Sequence, residues 1–283
     1  MKRAIIFAII TASIGLFVLG TYHALFRYRT FPASAAPPAE ALEVPFIAAE
    51  LSADGIRDGV WLKLAGKDVK LSPQVTAVPW GAPNVPQVNI KAFHNGRQIF
   101  FRLEWEDSTE DRNLGRNIFS DACAILFPFE EEPPPQALMM GFSGGANIWQ
   151  WKAARDAKVH GGAVGTERAY TDYYYPYQEQ EVFPIAKSQI ESAVEELTAH
   201  GVGTVASKQK QRAWGRGLWQ GGRWSVVMMR QLMTDDDQDV QFIPGRSRAA
   251  AFAVWDGARG DRGARKSISG WVILRLSETK SEP

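Results

Sequence analysis

Apolar and polar positions alternate with a period of two through most of the chain beyond position 46. Short runs of this kind lie at Trp61 to Leu64, Val88 to Phe93, Ile99 to Trp105, Ala122 to Phe127, Ile148 to Trp151, Trp224 to Leu232, Ala250 to Val254 and Ser269 to Leu276. Residues i and i+2 of a strand face one side of a sheet, so each run predicts a strand with at least one buried face. Between two of them, His94-Asn95-Gly96-Arg97 predicts a hairpin with a type I′ turn, because Asn-Gly tolerates the positive φ angles which that turn needs. Asp54-Gly55 and Asp58-Gly59 predict turns just ahead of the first strand. One window reads as a helix: Ile190, Val194 and Leu197 stand at helical spacing after Ser188 as cap, and Gly201 and Gly203 end it. Many short strands with little helix predict a mainly β fold, a two-sheet antiparallel β-sandwich with a few short helices.

A different pattern opens the chain. Ala4 to Phe26 is an apolar run without charge, preceded by Lys2 and Arg3, and about 20 apolar residues suffice to cross a bilayer. It predicts one N-terminal transmembrane or signal helix, with Ala33-Ser34-Ala35 as the cleavage site in the second case. Thr30 to Pro45 is rich in Ala and Pro and reads as an extended spacer. The expected organisation is an anchor or signal segment at 1–29, a tether at 30–45 and one β-sandwich domain at 46–283. The body is expected on the periplasmic side of the cytoplasmic membrane, anchored, or soluble there after cleavage.

Composition narrows the chemistry. A formal net charge of +1 with scattered basic residues lacks the basic footprint of nucleic-acid binding. The single Cys123 excludes an intrachain disulfide, a Cys-x-x-Cys-His haem attachment and an iron–sulfur cluster held by this chain alone. Four histidines without His-x-x-x-His spacing argue against a histidine-built metal site. Gly141-Phe142-Ser143-Gly144-Gly145 fits neither a phosphate loop nor a nucleophile elbow. Glu130 to Glu132, and Asp235 to Asp237 with Asp239, read as solvated loops; the latter lacks the glycine and closing glutamate of a known calcium loop. Arg155 to Gln180 and Asp235 to Arg248 read as long irregular segments, and the five tyrosines between Tyr170 and Tyr177 as a docking patch or a sheet-edge cap.

Ten tryptophans supply enough flat aromatic area to line a sugar-binding face or a macrocycle pocket, or simply to pack a core. Six strings carry more. They are Asp54-Gly55-Ile56-Arg57-Asp58-Gly59-Val60-Trp61, Phe101 to Asp107, Leu138-Met139-Met140-Gly141 followed by Ile148-Trp149-Gln150-Trp151-Lys152, Ala253-Val254-Trp255-Asp256-Gly257, and Arg265-Lys266-Ser267-Ile268-Ser269-Gly270-Trp271. In this order, from about Leu51 to Leu276, the chain resembles the haem b (gamma) subunit of the ethylbenzene dehydrogenase type of molybdenum oxidoreductase, whose relatives serve selenate, chlorate and dimethylsulfide enzymes. The long N-terminal apolar run departs from the freely soluble subunits of that family.

The resemblance implies one noncovalent haem b with Met140 and Lys266 as axial ligands, Met139 being the competing sulfur because adjacent strand residues face opposite sides. It implies an iron–sulfur (beta) subunit and a molybdenum catalytic (alpha) subunit as partners, and electron exchange with a quinone-linked or cytochrome c partner. Thioether sulfur favours ferrous iron, and lysine binds only as the neutral amine. Burial and neighbouring positive charge both lower a lysine pKa, and Arg259, Arg262 and Arg265 crowd Lys266 in sequence; the same guanidinium groups suit haem propionates. With both axial positions filled the iron is an electron carrier, not a catalyst. A membrane-tethered carbohydrate-binding sandwich without cofactor is the alternative from another class.

Overall fold

A computed structural model describes residues 40–51, 55–74, 81–131, 145–161, 192–201 and 203–279. The chain divides into two compact units, Met1–Pro38 and Ala39–Pro283, and every described residue lies in the second. The N-terminal apolar run, Met139 and Met140, and the tyrosine cluster lie outside the described residues; among the described ones no helix is long and apolar enough to cross a membrane.

Fourteen described strands form two sheets. They are β1 (Glu40–Val44), β2 (Lys67–Lys70), β3 (Ser72–Pro73), β4 (Gln87–His94), β5 (Gln98–Glu106), β6 (Ala122–Pro128), β7 (Ala146–Lys152), β8 (Val194–Ala199), β9 (Ala206–Ser207), β10 (Trp214–Trp219), β11 (Arg223–Gln231), β12 (Ser247–Trp255), β13 (Ser267–Ile268) and β14 (Val272–Leu276). The first sheet runs β1-β14-β12-β6-β7-β8-β9, with β13 paired to β12 and β3 to β13; the second runs β10-β11-β5-β4-β2. Every ladder is antiparallel except β1 with β14. The expected mainly β, two-sheet architecture is what the described residues form.

Alternation sorts the side chains. Cys123, Ile125 and Phe127 of β6, Trp149 and Trp151 of β7, and Phe252 and Val254 of β12 meet Phe101, Leu103 and Trp105 of β5 and Trp224, Val226 and Met228 of β11 in one core between the sheets. Trp151 packs edge-on against Trp224 at 5.0 Å and Phe127 against Trp149 at 5.0 Å, the offset geometry that aromatic quadrupoles favour. Fully burying each such side chain contributes on the order of 2–3 kcal/mol. A second cluster, Ile56, Trp61, Phe93 and Phe100, covers the outer face of the second sheet.

Several expectations are corrected. Trp61–Leu64 is not a strand: Gly59–Lys63 is a 3-10 turn whose Asp58 carboxylate accepts from Val60 N, and its Trp61 Nε1 donates to Gly55 O at 2.7 Å. The tether does not extend to Pro45, since β1 occupies Glu40–Val44 and buries Leu42 and Val44. The window read as a helix holds β8, which pairs with β7 from Trp151↔Val194 to Ala146↔Ala199. Its inward positions are Val194 and Glu196, and a buried glutamate in the second of these hides the strand alternation. Conversely, the segment read as irregular from Arg155 begins inside a helix, α1 (Ala153–His160), closed by Gly161 at φ 77°, the left-handed C-cap that glycine adopts freely. The 94–97 hairpin has positive φ only at Gly96, with Asn95 Oδ1 accepting from Arg97 N and Gln98 N. That excludes type I′, which needs positive φ at both central residues.

Candidate functional site

The outer face of the first sheet is distinct in composition among the described residues. Where β6 and β12 present Phe and Ile inward, they present mostly methyl groups outward: Ala122, Ala124 and the larger Leu126 from β6, Ala249, Ala251 and Ala253 from β12, joined by Ala146 and Ile148 of β7 and Ala199 of β8. The register sets Ala253 against Ala124 and Trp255 against Ala122. All of these residues are buried. Alanine methyls make up most of this floor, with Leu126 and Ile148 among them and the large rings of Trp255 and Trp271 in the same cluster. Flat apolar ligands need such a surface.

Lys266 enters at the rim of this floor. Residues 256–265 turn the chain back after β12: Asp256 N donates to Asp261 Oδ2 at 3.2 Å, Asp261 N to Asp256 O at 3.0 Å, and Arg262 and Arg265 exchange backbone hydrogen bonds at 3.1 and 2.9 Å. Gly263 accepts from Trp255 Nε1 at 3.0 Å. The chain then re-enters the sheet as β13, Ile268 opposite Ala253. Ile268 packs among the alanines, and Lys266, two residues before it, shares its side of the strand. The Lys266 side chain is buried, with Nζ 5.1 Å from the Trp255 ring centre. Burial lowers its pKa to about 8.

The arginines contribute less than expected. Arg259 faces Asp256 at 3.4 Å, Arg262 lies over the Phe119 ring at 4.6 Å, and desolvation, not like charge, is what depresses the lysine. Arg265 is half-buried beside Lys266 in the chain. Met139 and Met140 lie outside the described residues. Trp105, Trp149, Trp151 and Trp224 are sealed between the sheets, which withdraws them from any sugar-stacking surface.

Two other groupings were not legible in the sequence. Asp107, Asp121 and Asp256 are brought together from positions some 150 residues apart at the ends of three strands. A cleft of about 520 Å³, sharing no residue with the alanine floor, is lined by Ile56, Arg57, Arg112, Asp156, His160 and Arg216. Only the strand-end placement of each aspartate hinted at the first.

The fold and site define a two-sheet β-sandwich with a buried amine beside an alanine-floored sheet face. The chain belongs to the ethylbenzene dehydrogenase family, whose sequence model matches residues 58–267. It is similar to a Haloferax mediterranei protein named as a respiratory nitrate reductase heme subunit, ORF7, at 25% identity over 242 residues, covering 83% of this chain and 73% of that one. Among solved structures it is similar to a family 9 carbohydrate-binding module from Caldicellulosiruptor kristjanssonii in complex with glucose (TM-score 0.42, 9% identity, 86% of this chain and 100% of the other). The same module with cellotriose gives 0.40 and 11%, covering 86% of this chain and 98% of the other. Superposition at that level carries no argument about ligand.

Proposed function

We propose that this chain is the haem-carrying electron-transfer subunit of a molybdenum oxidoreductase complex. The observation that carries the reading is Lys266, a buried amine with its pKa drawn down to about 8, at the edge of a flat apolar floor. The match to the ethylbenzene dehydrogenase family and the likeness to a protein named as a heme subunit support it.

In this reading Lys266 offers its neutral Nζ as one axial ligand of a noncovalent b-type haem. The second ligand is a thioether, Met140 or its neighbour Met139. Met140 stands six residues before Ala146 of the floor, a span of roughly 20 Å at full extension. Ala124, Ala251 and Ala253 admit a flat ring, Trp255 borders it, and Arg265 pairs with a propionate. Bound there, the haem supplies one-electron chemistry; with two protein ligands no coordination position is left for substrate. The partners are an iron–sulfur subunit and, through it, a molybdenum catalytic subunit, with a quinone-linked or cytochrome c partner on the other side. The run Ala4 to Phe26 tethers the body on the periplasmic face of the cytoplasmic membrane.

The test is a reduced-minus-oxidised visible spectrum and a pyridine haemochrome assay on the full chain produced with ample haem. One noncovalent b haem per chain is expected. A folded, colourless protein overturns the reading.

A further inference from the structure

Three aspartates meet where the two sheets approach each other at one end. Asp107 follows the last residue of β5 in the second sheet, Asp121 precedes β6 in the first, and Asp256 follows β12. One carboxylate oxygen from each lies within 4.8 Å of the other two, and the residues are 6%, 0% and 7% exposed.

The hydrogen bonds to this group leave a gap. Asp121 is saturated: Oδ1 accepts from Gly257 N at 2.9 Å, and Oδ2 from Asp111 N at 2.8 Å and Trp224 Nε1 at 2.9 Å. Asp256 Oδ1 accepts from Arg259 N at 2.9 Å, and its Oδ2 faces the largely exposed Arg259 guanidinium at 3.4 Å. Asp107 Oδ1 accepts from Thr109 N at 3.1 Å and Thr109 Oγ1 at 3.3 Å. Asp107 Oδ2 is buried and accepts no hydrogen bond. Trp105 Nε1 is near enough to draw the Asp107 pKa down slightly, yet completes no hydrogen bond either. A buried acceptor without a donor is costly, and here it adjoins two further carboxylates, each repelling the others in a medium that screens charge poorly.

We infer that Asp107, Asp121 and Asp256 form a site for one divalent cation of the calcium type. Calcium takes carboxylate and carbonyl oxygens at about 2.3–2.6 Å, so ligands on opposite sides of the ion stand up to roughly 5 Å apart. The spacing of the three oxygens falls within that span. A cation here gives Asp107 Oδ2 the partner it lacks and cancels the repulsion. Burial raises the pKa of all three carboxyls, as expected where negative charge is held away from water. Gly257 is part of the construction: a Cβ there would stand 2.1 Å from Phe119 O, so only glycine lets this backbone come close enough to donate to Asp121. The ion would pin β5 of one sheet to β6 and β12 of the other, and fasten the start of the 256–265 turn. None of this depends on the haem reading.

The experiment uses the full chain. Metal content is measured on the protein as purified; after chelation, terbium(III) is titrated while emission is excited through tryptophan, since Trp224 touches the site and Trp105 borders it. The expected result is one equivalent of sensitised terbium, displaced by calcium, and a melting temperature that calcium raises in the chelated protein. Asp107→Asn and Asp256→Asn should each weaken calcium competition about tenfold or more, while the exposed Asp237→Asn leaves it unchanged. The inference is overturned if the wild-type chain neither retains metal nor gives calcium-displaced emission, or if Asp107→Asn binds as the wild type does. Should Asp107→Asn fail to fold, Asp256→Asn and the wild-type titration decide by the same criteria.

Discussion

Lys266 holds its Nζ 5.1 Å from the centre of the Trp255 ring, on a sheet face made largely of alanine methyls. The ring offsets part of the cost of removing an ammonium from water, typically about 0.5–2 kcal/mol, but desolvation costs several. Desolvation wins, and the native pKa falls from 10.5 to about 8. Below about pH 8 both folded and unfolded chains carry the charge, and the folded one bears the full penalty, roughly 3 kcal/mol at about 1.4 kcal/mol per pKa unit. Between about 8 and 10.5 the native lysine sheds its proton first, the unfolded chain binds more protons, and stability rises with pH. Haem-free Lys266→Met is therefore expected to be more stable than the haem-free parent at pH 7, by about 1–3 kcal/mol. Urea unfolding at pH 7 and pH 10 checks this: the advantage should shrink at the higher pH, and equal curves at both would show a solvated lysine.

The same residue is expected to control the spectrum of the haem-loaded protein. Lys266→Ala should convert a low-spin spectrum to one with an open or water-filled axial position, with far-UV circular dichroism unchanged. Of Met140→Leu and Met139→Leu, one should do likewise and the other should not, because neighbours in an extended segment face opposite sides. Arg265→Gln should leave the spectrum low-spin while loosening haem retention about fivefold, the worth of a partly exposed charge-assisted contact of about 1 kcal/mol. An unaltered spectrum in Lys266→Ala assigns the ligand elsewhere.

What the sequence revealed follows from where its alternation was clean. β5 and β6 carry apolar residues on every inward position, and β4, β7, β11 and β12 on all but an end position (His94, Asn147, Arg230 and Arg248), so each is legible to within a few residues of its ends. β8 was misread because its inward position 196 is a glutamate, a signal only the distant Arg230 makes sensible. β10 was missed because glycine fills its inward positions: a Cβ on Gly217 would lie 2.0 Å from the Trp151 ring and one on Gly215 2.4 Å from Val194. No local pattern encodes a vacancy made for the Trp151 side chain, 66 residues away. At the site, Lys266 comes only from resemblance to a family, since a lysine that follows a run of arginines looks solvated until the sheet face that buries it is assembled. Its neighbouring arginines are legible as charge but not as geometry: Arg259 turns to Asp256 and Arg262 to Phe119.

Gly217→Ala tests that account of β10. Gly217 N donates to Asp156 Oδ1 at 2.9 Å, and the same oxygen accepts from Trp151 Nε1 at 3.2 Å. A methyl at 217 would force the Trp151 ring away from both Asp156 and the Trp224 face it packs against. Overpacking of this kind costs about 1–3 kcal/mol, and loss of the indole hydrogen bond adds to it. The chain should unfold at a lower denaturant midpoint with its slope unchanged; an unchanged midpoint would mean the tryptophan moves freely. Gly221→Ala, where φ is 61° but no atom lies within 4 Å, should cost less.

Arg230 makes the sharpest stability prediction. Its side chain is inaccessible to solvent, and Nη1 lies 3.0 Å from both Asn147 Oδ1 and Asp239 Oδ1 and 3.5 Å from Glu196 Oε1. Its other terminal nitrogen donates to Val240 O, and the guanidinium plane rests 5.0 Å from the Trp149 ring centre. Lys208 closes the group by pairing with Asp236 at 3.2 Å and with Asp239. Arg230→Met removes the cation but leaves the carboxylates of Glu196 and Asp239 fully buried. Removing one partner of a buried pair costs about 3–5 kcal/mol, mostly because the other stays charged and dry. Arg230→Lys should recover little, since an ammonium can neither fork between three acceptors nor lie flat on the indole. The double change Arg230→Met with Glu196→Met should be less damaging than the sum of the singles, because the stranded charge leaves with its partner. Denaturant unfolding of the four proteins measures that coupling directly, and strict additivity would show that Glu196 and Arg230 do not sense each other.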